Sequence, residues 1–340
     1  METRKIQQVG RSTLSITIPK KWADEINLKQ GSQVTIEKEL DGSFKIRSNI
    51  SKSEHFSKYR ICIDNYKETN MLIRAIISLY LNGEHEIEFF SNNKIKLDDF
   101  EKIRDIVQHL IGLGIVEQTS TKIIIQDFLD PTKFPIENLI KHIIQTILIM
   151  QTTIIKKLEQ SNFDSIELIS SLEEEVDRLY TLTARQILLM FRYRNVSSKI
   201  GVSSFYDVVQ DYVMVKCFEE MADHYNFINL TFENALKNGI KRDNNTLIEI
   251  INYVKNLKKI TEETLLIVVS KDRFKANILI NEIEKLLEQI ELSDKSILEI
   301  YRNESFIVNI NSILWHLREI VKQNKSILES IINQSLVDNK

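Results

Sequence analysis

The sequence predicts a mostly α, α+β multidomain chain: a small β module, a small α+β unit, and a six-helix C-terminal region. Three observations predict it. Six of the eight glycines (Gly10, Gly31, Gly42, Gly83, Gly112 and Gly114) lie in roughly the first third, and the three prolines are Pro19, Pro131 and Pro135. From Ile136 to Lys340 there is no proline, and only Gly201 and Gly239 interrupt a stretch rich in Ile, Leu, Glu and Lys. Proline and glycine break helices, so their scarcity there points to long helices packed as a bundle. Near the N-terminus, Leu14, Ile16 and Ile18 alternate with Ser15 and Thr17, the period-2 pattern of a half-buried strand. A boundary falls at Leu129–Pro135 and a softer one in the polar, serine-rich stretch 48–57, giving pieces 1–50, 51–130 and 131–340.

The first piece reads β-β-α-β-β. Ile6 and Val9 end an extended run, and Gly10 and Arg11 mark a turn before the Leu14–Ile18 strand. Pro19 stops that strand and suits the first turn of a short helix, Lys20 to Ile26. After Gly31, Val34 and Ile36, then Phe44 and Ile46, alternate around Asp41-Gly42, a type I′ hairpin signal. So short a unit buries little surface alone and needs a partner copy of itself. It carries nine basic residues against six acidic ones, in a chain whose formal net charge is -3.

The second piece reads β-α-β-α-β-β. Tyr59, Ile61 and Ile63 form a strand, 67–81 a helix, and Glu86 to Phe90 a strand. Asp98 to Ile111 forms a second helix, and Val116 with Ile123 to Ile125 a closing hairpin. Glu101 and Asp105 share a helical face that reads as solvated. In the third piece the expected helices run from Pro135 to about Gln160, Asp164 to about Arg194, and Ser204 to Gly239. The other three start at Thr246, Lys271 and Glu304, the last two reaching about Tyr301 and Leu336. Ser204 with Asp207, and Thr246 with Glu249, are capping-box-like starts. Three helices twice over suggest an internal duplication, about 135–240 and 245–336.

Several functions are disfavoured. Cys62 and Cys217, the only cysteines, read as two reduced thiols, and no Cys/His cluster has zinc spacing. The charged N-terminus predicts no signal peptide, and Leu139–Met150, the richest apolar run, is broken by Lys141, His142 and Gln145. A cytoplasmic protein without membrane insertion is expected. No phosphate-binding P-loop, dinucleotide fingerprint or Gly-x-Ser-x-Gly elbow is present, so no enzyme activity is expected.

Arg4-Lys5, Gly10-Arg11-Ser12, Ile16-Thr17-Ile18-Pro19-Lys20-Lys21-Trp22, Leu28-Lys29-Gln30-Gly31, Val34 and Asp41-Gly42 carry a resemblance over about 1–48. Together they resemble an AbrB/SpoVT/MazE-type swapped-hairpin domain. The resemblance implies an intertwined homodimer whose basic residues contact DNA. Arg4, Lys5 and Arg11 match the family's basic contacts best, followed by Lys20 and Lys21. The bland alternative is that these are solvated charges on a module that only dimerises the chain.

Two carboxylate pairs mark the helical region. Glu173 and Asp177 are four residues apart, as are Glu219 and Asp223, and that spacing puts each pair on one helical face. Opposed across two helices, such faces make an oxygen-rich metal site; taken alone, each pair reads first as a solvated acidic stripe. The strings Glu175-Val176-Asp177-Arg178-Leu179-Tyr180 and Phe218-Glu219-Glu220-Met221-Ala222-Asp223-His224 resemble the two signatures of a PhoU-family repeat, over about 135–335. That resemblance implies two three-helix bundles, dimer formation and negative regulation of phosphate uptake. It also implies a divalent ion or cluster of iron, zinc, manganese or magnesium on the carboxylates. His224 is a further candidate ligand, although a lone histidine is more often simply hydrogen-bonded. Glu220 stands where the family has arginine. Arg318 and Lys322 stand where the second repeat would have carboxylates, so a cation is expected in the first repeat only. The middle piece resembles the intervening region of archaeal chains that join these two modules.

The expected function is DNA-binding regulation of phosphate uptake. The alternative is control of a phosphate transporter ATPase or a phosphate-signalling protein by direct contact, with the N-terminal module used only for dimerisation.

Overall fold

The computed structural model describes residues 3–38, 43–48, 58–66, 68–160, 166–192, 205–237, 245–300 and 304–337. The chain divides into two compact units, Met1–Ser57 and Lys58–Lys340.

The first unit has the expected order: β1 Gln7–Val9, β2 Thr13–Ser15, α1 Lys20–Glu25, β3 Val34–Lys38 and β4 Phe44–Ser48. β1 pairs antiparallel with β2, and β3 with β4, in separate two-stranded sheets. Gly10 takes a left-handed φ of 70° at the β1–β2 turn, and extended Pro19 leads into α1, accepting from the Ala23 N–H at 3.0 Å. One detail departs from the sequence reading. The Leu14–Ile18 strand stops at Ser15, because among the described residues no strand lies opposite Ile16–Ile18. In the second hairpin Lys38 pairs with Phe44. Asp41 and Gly42 themselves lie outside the described residues.

No residue of this unit whose burial is described is buried. Leu14 is 69% exposed and Phe44 71%, with Ile6, Val9, Ile16, Trp22 and Ile36 also exposed. Among the described residues of this unit, the apolar side chains that the alternation assigns to a core are therefore left without one.

The second unit opens with β5 Lys58–Cys62, α2 Thr69–Leu81, β6 Glu86–Phe90, α3 Leu97–His109, β7 Leu113–Gln118 and β8 Lys122–Asp127. The sheet order is β5-β6-β8-β7, with β5 and β6 parallel and the rest antiparallel. Ile63 leaves the expected strand for a 3-10 turn, Ile63–Asn65. Ile61, Ile87, Phe89, Ile123 and Ile125 on the sheet and Leu72, Ile76, Tyr80, Ile103 and Val107 on the helices form one core. Glu101 and Asp105 are exposed, as read from sequence.

The six long helices are α4 Ile136–Gln160, α5 Ile166–Arg192, α6 Phe205–Lys237, α7 Asn245–Ser270, α8 Arg273–Ile300 and α9 Glu304–Val337. They share one hydrophobic core, in which Ile143, Ile147, Phe218, Tyr225, Leu257, Leu317 and Ile320 are fully buried. The two helical sets pack together, α4 against α7 and α6 against α9. Gln151 of α4 donates to the Tyr225 hydroxyl of α6 at 2.7 Å and to the Thr261 hydroxyl of α7 at 2.9 Å, joining three helices through one buried amide. Among the described residues, no helix is long and apolar enough to cross a membrane.

The capping expectations need correction. Asp272, not Lys271, starts α8: its carboxylate accepts from the N–H groups of Phe274 and Lys275 at 3.0 and 3.1 Å. Thr246 lies inside α7. Glu249 accepts instead from the Tyr253 and Ser293 hydroxyls at 2.8 and 2.6 Å. Ser204 lies outside the described residues, as do Asp164 and Ser165.

One buried ion pair joins the sheet to the bundle. Arg185 of α5, 3% exposed, donates to the Asp127 carboxylate at the end of β8. Its guanidinium lies 4.4 Å from the Tyr80 ring centroid, and Asp127 also accepts from the Leu129 N–H at 3.0 Å. Nearby, Gly83 ends α2 at a φ of 72°; a Cβ there would sit 2.2 Å from Leu189 of α5. Removing one partner of a buried pair strands the other charge, at a cost of about 3–5 kcal/mol, while replacing both by apolar groups is often nearly neutral. Asp127→Ala is therefore expected to lower stability by that amount in urea unfolding, and Asp127→Leu with Arg185→Met to recover most of it. A double variant as unstable as the single one would show that packing, not charge, sets the cost.

Candidate functional site

Glu173 and Asp177 project from one face of α5, and Asp223 from α6. The two helices run antiparallel, since Ser170 meets Asn226 (3.0 Å) at one end of the contact and Tyr180 meets Tyr212 (3.4 Å) at the other. Ligand atoms of Glu173, Asp177 and Asp223 lie within 4.8 Å of one another, and all three residues are half-buried. The trio sits in mid-helix, away from any helix N-terminus whose dipole would favour negative charge.

Packed carboxylates in a poorly solvated place disfavour ionisation. Burial, then the charges of Asp177 and Asp223, pushes Glu173 up to about 7. Burial, then Asp223 and Glu219, pushes Asp177 up to about 6. Asp223 is raised as well, burial again being the largest cause. The Asp177 Oδ1 atom is buried without a hydrogen-bond partner. An orphaned carboxylate oxygen in an all-oxygen set fits a hard or borderline divalent ion, which would supply the missing positive charge.

The sequence grouped five residues here, and the structure brings together three. Glu219 remains close enough to act on Asp177, but its own carboxylate is held by Lys216. His224 turns toward the second helical set, with its Nδ1 2.9 Å from Nδ1 of His316. Lys216, which also lies 3.7 Å from Glu220, is the local cation that sequence reasoning missed. Its spacing of three and four residues before Glu219 and Glu220 was the available signal. His316 carried no such signal, because its partner is 92 residues away. In the second set, Lys322 pairs with Glu319 at 2.8 Å, and Gln323 donates to Glu220 at 2.5 Å.

The basic residues of the first unit are placed otherwise. Arg4 and Lys5 precede β1, Arg11 lies in the β1–β2 turn, and Lys20 and Lys21 open α1; all five are exposed.

The trio gives the metal-free protein a pH dependence whose sign follows from the raised carboxyls. A folded-state value above the unfolded one means that the folded chain holds more protons, so stability is greatest at low pH and falls as pH rises. For Glu173 the window runs from the ordinary carboxyl value of 4.5 to about 7, and for Asp177 from 3.8 to about 6. In chelator, thermal midpoints are expected to fall across that window, and Asp177→Asn to flatten the fall and raise the midpoint at pH 7.5. A midpoint that rises with pH in both proteins would contradict this account of the trio.

Comparison with known proteins finds two similarities. Residues 7–53 match a family model described as antidote-toxin recognition MazE, bacterial antitoxin. No curated protein matches the chain. Among solved structures, the crystal structure of PhoU from Pseudomonas aeruginosa is similar over 60% of this chain and 96% of that chain, at 12% sequence identity and a TM-score of 0.49. The N-terminal unit thus carries a MazE/AbrB-like domain.

Proposed function

We propose that this chain is a dimeric DNA-binding regulator of phosphate uptake, in which the helical region senses a state and the N-terminal module carries it to DNA. The observation that carries the reading is the N-terminal unit: a MazE-like domain with Arg4, Lys5, Arg11, Lys20 and Lys21 exposed and no buried side chain among those described. Its apolar surface calls for a second copy, and two copies double the set of cations that phosphates can meet. The phosphate assignment rests on the PhoU-like strings around Asp177 and Asp223 and on the carboxylate trio they form. Glu173, Asp177 and Asp223 would hold a divalent ion there, and the ion would neutralise the repulsion that keeps them protonated. Lys216 and Glu219 flank it and set how much positive charge the site still needs. This is a regulatory role, with no chemical step assigned to the chain.

The exposed apolar residues of the N-terminal unit also support a second reading. In it the module only dimerises, and the bundle controls a phosphate transporter or signalling protein by contact. Arg4→Ala with Lys5→Ala and Arg11→Ala separates the two. Under the first reading the triple variant stays dimeric by sedimentation but loses affinity for DNA from upstream of phosphate-transport genes. Its affinity also varies less with salt, because fewer phosphates are neutralised. If wild type and variant bind that DNA equally weakly and with equal salt slopes, the second reading stands.

A further inference from the structure

A contact between the two helical sets has chemistry that neither the trio nor DNA binding uses. His224 on α6 and His316 on α9 face each other through like atoms, Nδ1 to Nδ1, at 2.9 Å. They are two of only six histidines in the chain. Their rings are fixed by packing. Phe227 stacks on His316 with an interplanar angle of 9°, and the Trp315 edge meets His224 with ring centroids 5.5 Å apart. The surroundings are acidic. Glu319, one turn after His316, acts electrostatically on both rings, and Asp223 and Glu220 act on His224.

We propose that His224 and His316 form a second cation site, a two-imidazole chelate for a first-row divalent transition metal, that ties one helical set to the other. Metal–imidazole bonds run about 2.0–2.1 Å, so two nitrogens 2.9 Å apart subtend roughly 90° at an ion bound to both. That is the cis angle of square-planar or octahedral coordination, the geometry of Cu²⁺ and Ni²⁺, rather than the wider tetrahedral angle of structural zinc. Glu319, paired with Lys322 at 2.8 Å, adds negative charge near the two rings that favours a cation. The site differs from the trio in kind as well as place. Asp223 and His224 are neighbours in sequence, so on α6 they point about 100° apart. Nitrogen donors also select softer ions than an all-carboxylate set does. A metal on the two rings would lock α6 to α9 at the contact where the first helical set meets the second.

The test uses the full-length protein, stripped with chelator and loaded with one equivalent of Cu²⁺. Electron paramagnetic resonance counts the coordinated nitrogens. Wild type is expected to show two equivalent imidazole nitrogens, and His224→Gln and His316→Gln one each, with Cu²⁺ binding weakened about tenfold or more. Asp177→Asn, which removes a member of the trio, is expected to leave the two-nitrogen spectrum unchanged. His224 is the less buried ring, so its variant serves if His316→Gln fails to fold by circular dichroism. A wild-type spectrum without two nitrogens, or one that survives His224→Gln, overturns the proposal and leaves the pair as a shared-proton hydrogen bond.

Discussion

Arg185 is a full positive charge in the interior, and the second unit is organised around satisfying it. A cation of that size, out of water, requires a carboxylate and a polarisable face within reach. Asp127 supplies the first from the last residue of β8, and Tyr80 the second from α2. Both come from the sheet module, while the arginine comes from the bundle. The pair therefore fixes where α5 lies against the sheet. Gly83, just past the end of the helix that carries Tyr80, permits the same approach, since a side chain there would meet Leu189. Two Arg185 nitrogens, Nε and Nη1, are buried without hydrogen-bond partners, so the ring face of Tyr80 carries part of the burden that hydrogen bonds usually carry.

α5 then does two jobs along its length. Asp177 and Arg185 are eight residues apart, about 12 Å at the helical rise. One end of that span is pinned to the sheet through a charge that is matched; the other holds carboxylates that are not. The bundle tolerates the trio because raised carboxyls take up protons instead of repelling, and because Lys216 lies alongside.

Most of the architecture was legible in the sequence, and the reasons are local. The proline-free, glycine-poor stretch placed six long helices whose described bounds agree closely with the reading, because helix length depends on breakers that a sequence shows directly. The four-residue spacing of Glu173–Asp177 and Glu219–Asp223 was legible for the same reason. It gave the faces but not the rotation of α6 about its axis, and that rotation sends Asp223 to the trio and His224 to His316, while Glu219 pairs with Lys216 of its own helix. Arg185–Asp127 and His224–His316 join residues 58 and 92 positions apart, and nothing local announces either. The short strand β2 was overread, because alternation reports which faces want burial, not whether a neighbouring strand exists in the same copy.

The missing core of the first unit has a consequence for how such a chain behaves as its level changes. On the proposed dimer reading, Leu14, Phe44 and their apolar neighbours leave water only when a second copy arrives. At low abundance the assembled form would then grow with the square of chain concentration rather than in proportion to it. Such a module would act as a threshold on expression: halving the number of chains would remove about three quarters of the assembled species, without any effector taking part.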